Sequence, residues 1–301
     1  MNQNIRFSYS NKIILLICIF ALCLIGATVL MNIISNLLAG KGVLSYDINI
    51  LSQNLILFAL PAASCAFLFS RKPTSFLNLS NQTSWQAVAF LLFLFVTMTP
   101  GFNYLVDWNS NIHLPESMQS IEHALKEAED NAQSVTTMLL NENNIFVSIL
   151  LVGVLTGFCE ELFFRGLLQK QLFQRPMNIH LAIWSAGFIF SLLHFQFFGF
   201  FPRWILGSLF GYLVYWSGSL WTAVIAHALN NSMVIVGNEI KNLYGTNIDN
   251  IGIPNSGQFP WLALLSLIAS IVIIAIFTKY IKKAGRPYSD PASIDIDNSV
   301  K

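Results

Sequence analysis

The chain has 301 residues, of which 54% are hydrophobic and only 10% are charged. A soluble domain carries about a quarter charged residues, so this composition excludes an ordinary cytosolic enzyme. The formal net charge of +1 comes without a clustered basic surface, so nucleic acid is not an expected partner.

Long apolar runs predict helices that cross a membrane. A helix needs about 20 apolar residues to cross the hydrocarbon core. Five runs are near or above this length: Ile13 to Leu38, Ile50 to Phe69, Trp85 to Val106, Ile145 to Leu168 and Trp261 to Ile281. The first run is too long for the core of a signal peptide, so we expect it to be a retained span.

Between the third and fourth runs lies the one sizeable polar loop, Asp107 to Asn144. Within it, residues 120–140 carry Ile121, Leu125 and Ala128 at helical spacing, which predicts a helix. We expect this helix to lie at the membrane surface as an amphipathic linker, with substrate gating as the alternative.

The stretch Ile179 to Ala228 is apolar but is broken near Pro202 and Gly218. These breaks predict three shorter helices, at about 180–198, 203–216 and 219–238. Together with the five long runs they give about eight spans.

The Lys and Arg residues test this topology, because cytoplasmic loops carry an excess of both. With the N-terminus inside, eleven of the sixteen lie in inside segments and Arg165 lies within a span. The outside segments contain Lys41, Lys126, Arg203 and Lys241. The sequence therefore predicts an all-α, polytopic transmembrane helix bundle of about eight spans with both termini cytoplasmic.

Ionisable residues at membrane depth are costly, so they are candidates for function. The fourth run contains Glu160 and Glu161 in succession and Arg165. Glu161 and Arg165 are four residues apart and can pair on one helix face, whereas Glu160 points about 100° away. Glu160 is thereby left for acid or base chemistry. Helix packing or ion conduction by the same charges is the alternative.

Two later helices add polar groups. His194 lies toward the end of an otherwise apolar helix, and His227 and Asn231 lie four residues apart on one face of a later helix. Each histidine alone would be an ordinary hydrogen-bonded core residue, but three polar groups in successive helices favour a site. We assign no role to His113, His123 and His180, which lie in loops or at a membrane boundary.

Glutamate and histidine can activate a water directly or through a bound zinc ion. Asparagine and a second histidine can donate hydrogen bonds to the oxyanion formed when water attacks a peptide carbonyl. Other intramembrane proteases are not indicated: the sequence has no H-E-x-x-H and no G-x-S-G, and Tyr46-Asp47 lacks a G-x-G-D partner.

Three motifs follow one another in this part of the chain. They are E-E-x-x-x-R at Glu160, Glu161 and Arg165, F-x-x-x-H at Phe190 and His194, and H-x-x-x-N at His227 and Asn231. In order, spacing and membrane setting they resemble the CPBP family, which contains the type II CAAX prenyl endopeptidases and the bacterial Abi proteins linked to bacteriocin self-immunity. The resemblance covers roughly residues 145–240.

The resemblance implies an intramembrane endopeptidase that hydrolyses a peptide bond of a membrane-associated protein or peptide. Glu160 with His194 would activate the water, and His227 with Asn231 would stabilise the oxyanion. The implied partners are membrane lipid and a peptide or protein substrate, prenylated or otherwise membrane-associated. The implied location is a bacterial inner or plasma membrane.

The resemblance also assigns supporting roles to Glu161 and Arg165. It makes Glu160, His194 and His227 candidate ligands of a zinc ion. The chain would then divide into an N-terminal part with three spans and the surface loop, a catalytic helix core, a last loop and span, and a disordered tail. The predicted bounds are 1–144, 145–240, 241–286 and 287–301.

Two other functions stay open at this level. A non-catalytic membrane scaffold or bacteriocin-immunity protein would use the polar cluster for packing or for binding a peptide. A proton or small-solute transporter would use the two glutamates and two histidines as a relay. The sequence lacks the broken helices in matched inverted halves that would favour a transporter.

Overall fold

The protein is an all-α, polytopic bundle. A computed structural model describes residues 7–173, 177–255 and 258–283, and within these ranges its regular structure is helical, without strands. The predicted disordered tail, 287–301, lies outside the described residues. The main helices are α1 (Tyr9–Leu37), α2 (Gly42–Phe69), α3 (Trp85–Ser110), α4 (Gln119–Glu142), α5 (Ile145–Phe173), α6 (Ile179–Leu192), α7 (Phe200–Ser217), α8 (Leu220–Tyr244) and α9 (Trp261–Lys283).

In the described ranges, seven helical segments are long and apolar enough to cross a membrane: α1, α2, α3, α5, α7 with the turn before it, α8 and α9. The remaining apolar helix, α6, has 14 residues. Its length of about 21 Å is shorter than the roughly 30 Å hydrocarbon core. We predicted that this helix continues to about residue 198, just before the break near Pro202. It ends at Leu192 instead, and Phe195 has a left-handed φ of 54°.

The surface of the bundle is apolar, and charged side chains lie in its interior. Large apolar side chains such as Leu22, Phe93 and Ile271 are exposed, whereas Arg165 and Lys170 are fully buried. Apolar surface is stable when it faces lipid, and charged groups at that depth face the bundle interior. The arrangement is that of an integral membrane protein.

Small residues bring α5 against α8. A Cβ atom at Gly157 would lie 3.1 Å from the backbone nitrogen of Ala228, and one at Gly153 would lie 2.8 Å from Ser232 Oγ. Small residues four apart permit this close approach of helix backbones in membranes. The glutamates of α5 follow directly after this contact, so they face α8 at short range.

Helix α5 is not a uniform α-helix. It has π-helical geometry at Ile149–Leu155 and again at Leu162–Leu168, on either side of the α-helical turn Thr156–Glu161. A π segment rotates the following side chains relative to an α-helix and is frequent at functional sites. The turn between the two π segments carries both glutamates.

Helix α7 runs parallel to α5 in a fixed register. Arg165 Nη2 donates to the carbonyl oxygen of Gly207 at 2.6 Å, and one turn later Gln169 Nε2 donates to that of Gly211 at 3.3 Å. A Cβ at Gly211 would lie 2.5 Å from Gln169 Oε1, so glycine leaves the space for this side chain. Residues 42 apart in sequence therefore lie at one level of the bundle.

The structure contains the surface helix that we predicted at 120–140, as α4. Its apolar residues Ile121 and Ala128 are exposed, and its polar side chains Glu122 and Glu129 are directed inward. Glu122 accepts hydrogen bonds from Lys126 Nζ and from the backbone N–H of Leu114. The inward face of α4 is therefore polar and its apolar residues Ile121 and Ala128 lie on the outer face, so the helix is amphipathic. Its place at the membrane surface stays a prediction.

Candidate active site

The two glutamates of α5 differ in exposure and in partners. Arg165 Nη1 donates to Glu161 Oε1 at 2.7 Å, and both side chains have no exposed surface, so the predicted i to i+4 pair is present. The Glu160 side chain keeps 9% of its surface exposed. Within the described residues, neither Glu160 oxygen takes part in a hydrogen bond, and Oε2 is a buried atom without a partner.

His227 lies between the two carboxylates. Its Nδ1–H donates to Glu161 Oε1 at 2.8 Å, because a carboxylate oxygen can only accept, and its Nε2 lies 3.8 Å from Glu160 Oε2. We expected Glu160 to face a different neighbour from Glu161. In the structure both reach the same imidazole, since the short α5–α8 separation places one ring over both side chains.

One oxygen atom therefore connects three side chains. Glu161 Oε1 accepts from Arg165 and from His227. The Arg165 guanidinium also lies 4.7 Å from the ring centre of Phe190, and the His227 ring stacks on Phe210 at 5.0 Å. These contacts fix the orientation of the His227 ring, because rotation about its side-chain bonds would break both the hydrogen bond and the stacking.

His194 lies in the turn after α6. Its Nδ1 is 2.7 Å from the carbonyl oxygen of Phe190, so Nδ1–H donates and, in the neutral ring, Nε2 is left as an acceptor. The Phe190 ring lies between the two histidines, with centroids 4.8 Å from His194 and 5.8 Å from His227. No hydrogen bond joins His194 to Glu160, so a substrate or water would have to bridge them.

Asn231 lies one turn beyond His227 on α8, as its spacing predicted. Its Nδ2 donates to the carbonyl oxygen of Val152 at 3.0 Å, and its Oδ1 accepts from Asn230. The amide nitrogen has two N–H groups, so one remains for another acceptor. Asn231 is half-buried, which leaves that group accessible.

Three of these side chains are the predicted ligands of a zinc ion. Zinc needs three or four ligand atoms at about 2.0–2.3 Å around one point. In the described part of the chain, no three His, Cys, Asp or Glu side chains converge in this way. Glu160, His194 and His227 thus do not form a ready zinc site as they stand, and zinc binding by them stays a prediction.

Sequence reasoning missed two residues that hold the turn between His194 and α7. Asn109 of α3, fully buried, accepts from the backbone N–H of Phe201 at 2.8 Å and donates to the carbonyl of Phe197 at 3.3 Å. Glu129 of α4 accepts from the backbone N–H of Phe198 at 2.9 Å. Both come from the polar loop region, where no motif marks them.

A third residue, Arg203, was interpreted only as an outside charge. It lies in the first turn of α7, and its Nη2 donates to Gln196 Oε1 in the turn that follows His194. A sequence signal was present, since an arginine stood nine residues after His194 beside an otherwise apolar stretch.

The comparisons with known proteins agree with the motifs. Residues 142–233 match the sequence model of "Type II CAAX prenyl endopeptidase Rce1-like". The match covers about a third of the chain and includes all the motif residues. The chain is also 31% identical over 86 residues to "Uncharacterized protein YpbD" of Bacillus subtilis (strain 168). That similarity covers 26% of this chain and 39% of the relative, so the chain spans about two fifths of the relative's length.

No solved structure matches the chain. The family match confirms the resemblance that the three motifs indicated. It falls on α5 to α8, the helices that carry the glutamates, the histidines and Asn231. The chain is therefore an integral membrane protein, a polytopic helical bundle in which residues 142–233, here called the Rce1-like region, match that family model.

Proposed function

We propose that this chain is an intramembrane endopeptidase that hydrolyses a peptide bond of a membrane-associated protein or peptide. The observation that supports this most is the environment of the Glu160 carboxylate, meaning its burial and its hydrogen-bond partners. Glu160 is a nearly buried carboxylate with an unpartnered Oε2, 3.8 Å from an imidazole nitrogen and without any hydrogen bond among the described residues, whereas the neighbouring Glu161 accepts from Arg165 and His227 at Oε1. A water bound to Oε2 would complete its hydrogen bonding and be held for attack.

In the proposed reaction, Glu160 is the general base. Glu160 takes one proton from the water, the water oxygen forms a bond to the peptide carbonyl carbon, and the carbonyl oxygen becomes an oxyanion. The C–N bond then breaks, and the proton held by Glu160 passes to the leaving nitrogen. His194 Nε2, an acceptor in the neutral ring, would hold the second water hydrogen.

The oxyanion would be stabilised from α8. Asn231 has one N–H left over, and His227 can donate from Nε2 when that nitrogen carries a proton. In the doubly protonated ring, Nδ1–H donates to Glu161 and Nε2–H is directed toward the Glu160 side. Glu161 and Arg165 would thus act by holding His227 in place, rather than by touching the substrate.

A substrate already in the lipid would reach this site by lateral diffusion. We propose a membrane-associated peptide or protein, prenylated or otherwise anchored, because α5 to α8 are Rce1-like and the outer surface of the bundle is apolar. We also propose a bacterial plasma membrane as the location, which the Bacillus subtilis relative supports.

The test uses the purified, detergent-solubilised chain and fluorogenic peptides in prenylated and unmodified forms. We expect Glu160→Ala to reduce cleavage by about 10²–10⁴-fold, the usual contribution of a general base. Glu127→Gln removes an exposed carboxylate of α4 and should leave the rate unchanged. A chelator is added in a parallel arm to test the zinc prediction.

Two results would contradict the proposal. Equal cleavage by wild type and Glu160→Ala would show that the peptidase activity does not arise at this site. The second result has two parts: the wild type cleaves no peptide, and Glu160→Gln retains the biological function of the protein in cells. Together they would favour the non-catalytic scaffold or immunity protein.

A further inference from the structure

Asn54 is a buried amide on α2, outside the Rce1-like region, and it binds the α5 turn that carries both glutamates. Its side chain lies in the bundle interior, since the residue is only 5% exposed, and it begins a run of π-helical geometry, Asn54–Ala59. Its Nδ2 donates to the carbonyl oxygen of Ile50 at 2.9 Å and to the hydroxyl of Thr156 at 3.0 Å. The amide therefore joins α2 to α5 one turn before Glu160.

The other end of this amide, Asn54 Oδ1, has no partner in the described part of the chain. The nitrogen must face Ile50, because a backbone carbonyl can only accept a hydrogen bond. The Thr156 hydroxyl does not serve Oδ1 either, because its hydrogen is donated to the carbonyl oxygen of Leu151 at 3.0 Å. A buried acceptor of this kind in a folded protein indicates a bound group that supplies the donor.

Glu160 lies on the side of α5 that faces α2. Thr156, Glu160 and Phe163 follow one another at spacings of four and three residues, which places them on one stripe of the helix. The two outer members of that stripe both contact α2: Thr156 binds Asn54, and the Phe163 ring centre lies 6.0 Å from that of Phe58. A helical side chain leans toward the N-terminus of its helix, so the Glu160 carboxylate is directed toward the level of Asn54.

Two buried acceptors, Asn54 Oδ1 and Glu160 Oε2, are thus without a donor among the described residues. His227 Nε2, at 3.8 Å from Glu160 Oε2, is too far away for a hydrogen bond. The two oxygens cannot satisfy each other while Glu160 is ionised, because an amide oxygen and a carboxylate oxygen only accept. A water molecule has two O–H donors, and a buried water typically binds two to four polar groups that otherwise lack partners.

We propose that a structural water molecule is bound between α2 and α5, donating one hydrogen to Asn54 Oδ1 and the other to Glu160 Oε2. It is distinct from the attacking water, which donates to Glu160 and His194, because a carboxylate has about four lone-pair sites and can accept from both. Held from the α2 side, the Glu160 carboxylate does not rotate about its last side-chain bond and stays directed at the attacking water. Asn54 is then a positioning residue that acts through this water, a role that rests on the proposed peptidase function.

The water site is tested without any substrate. The experiment is a crystal structure of the full-length chain, at a resolution that shows ordered waters, for the wild type and for Asn54→Leu. We expect one water within about 3.2 Å of both Asn54 Oδ1 and Glu160 Oε2 in the wild type, and no water there in Asn54→Leu. A wild-type structure in which these two oxygens share no water would overturn the inference.

Cleavage kinetics test the positioning role. Asn54→Leu has a similarly branched side chain without the acceptor, and it should lower kcat about tenfold at an unchanged KM, because Asn54 does not touch the substrate. Thr156→Val is the matched control: it removes the same hydrogen bond between α2 and α5 but leaves Asn54 Oδ1 in place, so kcat should stay at the wild-type value. Equal losses of kcat in both variants would mean that Asn54 only holds the two helices together, which would rule out its role.

A third variant, Asn54→Ala, separates water binding from packing and also covers the case in which Asn54→Leu does not fold. Alanine leaves a cavity in which a further water can take the place of the amide oxygen, whereas leucine fills that space. Asn54→Ala should therefore retain more of kcat than Asn54→Leu, although its cavity lowers the stability of the fold. The opposite order of kcat is what a packing role predicts, and it would count against the inference.

The water site and the proposed function can fail separately. A shared water in the crystal structure, together with no cleavage of any peptide by the wild type, would support the water site and count against the peptidase. Cleavage that is lost in Glu160→Ala but unchanged in Asn54→Leu would leave the peptidase in place and rule out the role of Asn54.

Discussion

The Rce1-like region and the helices before it build their polar contacts in different ways. In α5 to α8 the buried polar side chains bind one another, as Arg165, Glu161 and His227 do around a single oxygen. In α3 and α4, Asn109 and Glu129 bind backbone groups of the turn before α7. The motif-bearing helices thus carry the candidate catalytic groups, and the helices without a motif fix the turn next to His194.

The largest expected effect is that of Glu161→Ala. It would leave Arg165 and His227 without their shared acceptor and leave a buried charge unpaired, which costs about 3–5 kcal/mol of stability. Chemical unfolding in detergent measures this cost, with the exposed Glu127→Gln as a control expected to stay within about 0.5 kcal/mol. A small cost for Glu161→Ala would mean that this hydrogen-bond network is not needed for folding.

The close approach of α5 and α8 should be the next most sensitive feature. Gly157→Ala places a Cβ 3.1 Å from the backbone nitrogen of Ala228, and overpacking of this kind costs about 1–3 kcal/mol. Activity should fall as well, because His227 would move away from the glutamates.

Gly26→Ala is the matched control for that substitution. Nothing lies within 4 Å of a Cβ at Gly26 in α1, so alanine should be neutral or stabilise the helix by about 0.5–1 kcal/mol. Unfolding midpoints and peptide cleavage are measured for both variants. Similar losses in both would show that the effect does not arise from the α5–α8 contact.

A substitution at Asn109 tests how much the helices without a motif contribute to stability and to cleavage. Asn109→Ala removes two partly buried hydrogen bonds to the turn before α7, at about 1–3 kcal/mol in total. Cleavage should decrease more than the folded fraction does, because His194 and Arg203 flank that turn. Asn111→Ala, whose side chain is exposed, should change neither quantity.

The smallest effect should be the pH dependence contributed by Glu122 in α4. The hydrogen bond from Lys126, with those from the Leu114 N–H and His113, lowers the Glu122 pKa from 4.5 to about 2. A lowered pKa stabilises the folded state above pH 4.5, and this stabilisation is lost as the pH falls toward 2. Wild type should exceed Glu122→Gln in unfolding midpoint at pH 7, and the gap should narrow between pH 4.5 and 2.

Local pattern predicted much of this molecule. The apolar runs gave the long helices, and the spacing of Glu161 and Arg165 gave their ion pair. Contacts between distant segments could not be predicted in the same way. That His227 contacts both glutamates depends on how closely Gly157 lets two helices approach, and the role of Asn109 depends on a turn 88 residues away.

The end of α6 was missed for a related reason. Residues 193–198 remain mostly apolar and aromatic, so composition alone extends the helix. The left-handed backbone at Phe195 and the hydrogen bonds from α3 and α4 end it instead.

A helix as short as α6 also affects the lipid beside it. Its length of about 21 Å falls roughly 9 Å short of the usual hydrocarbon thickness. Lipid tails next to it must compress, or headgroups and water must sink toward the turn that holds His194. We therefore expect a local depression of the bilayer on this flank, where a peptide could meet water without leaving the lipid.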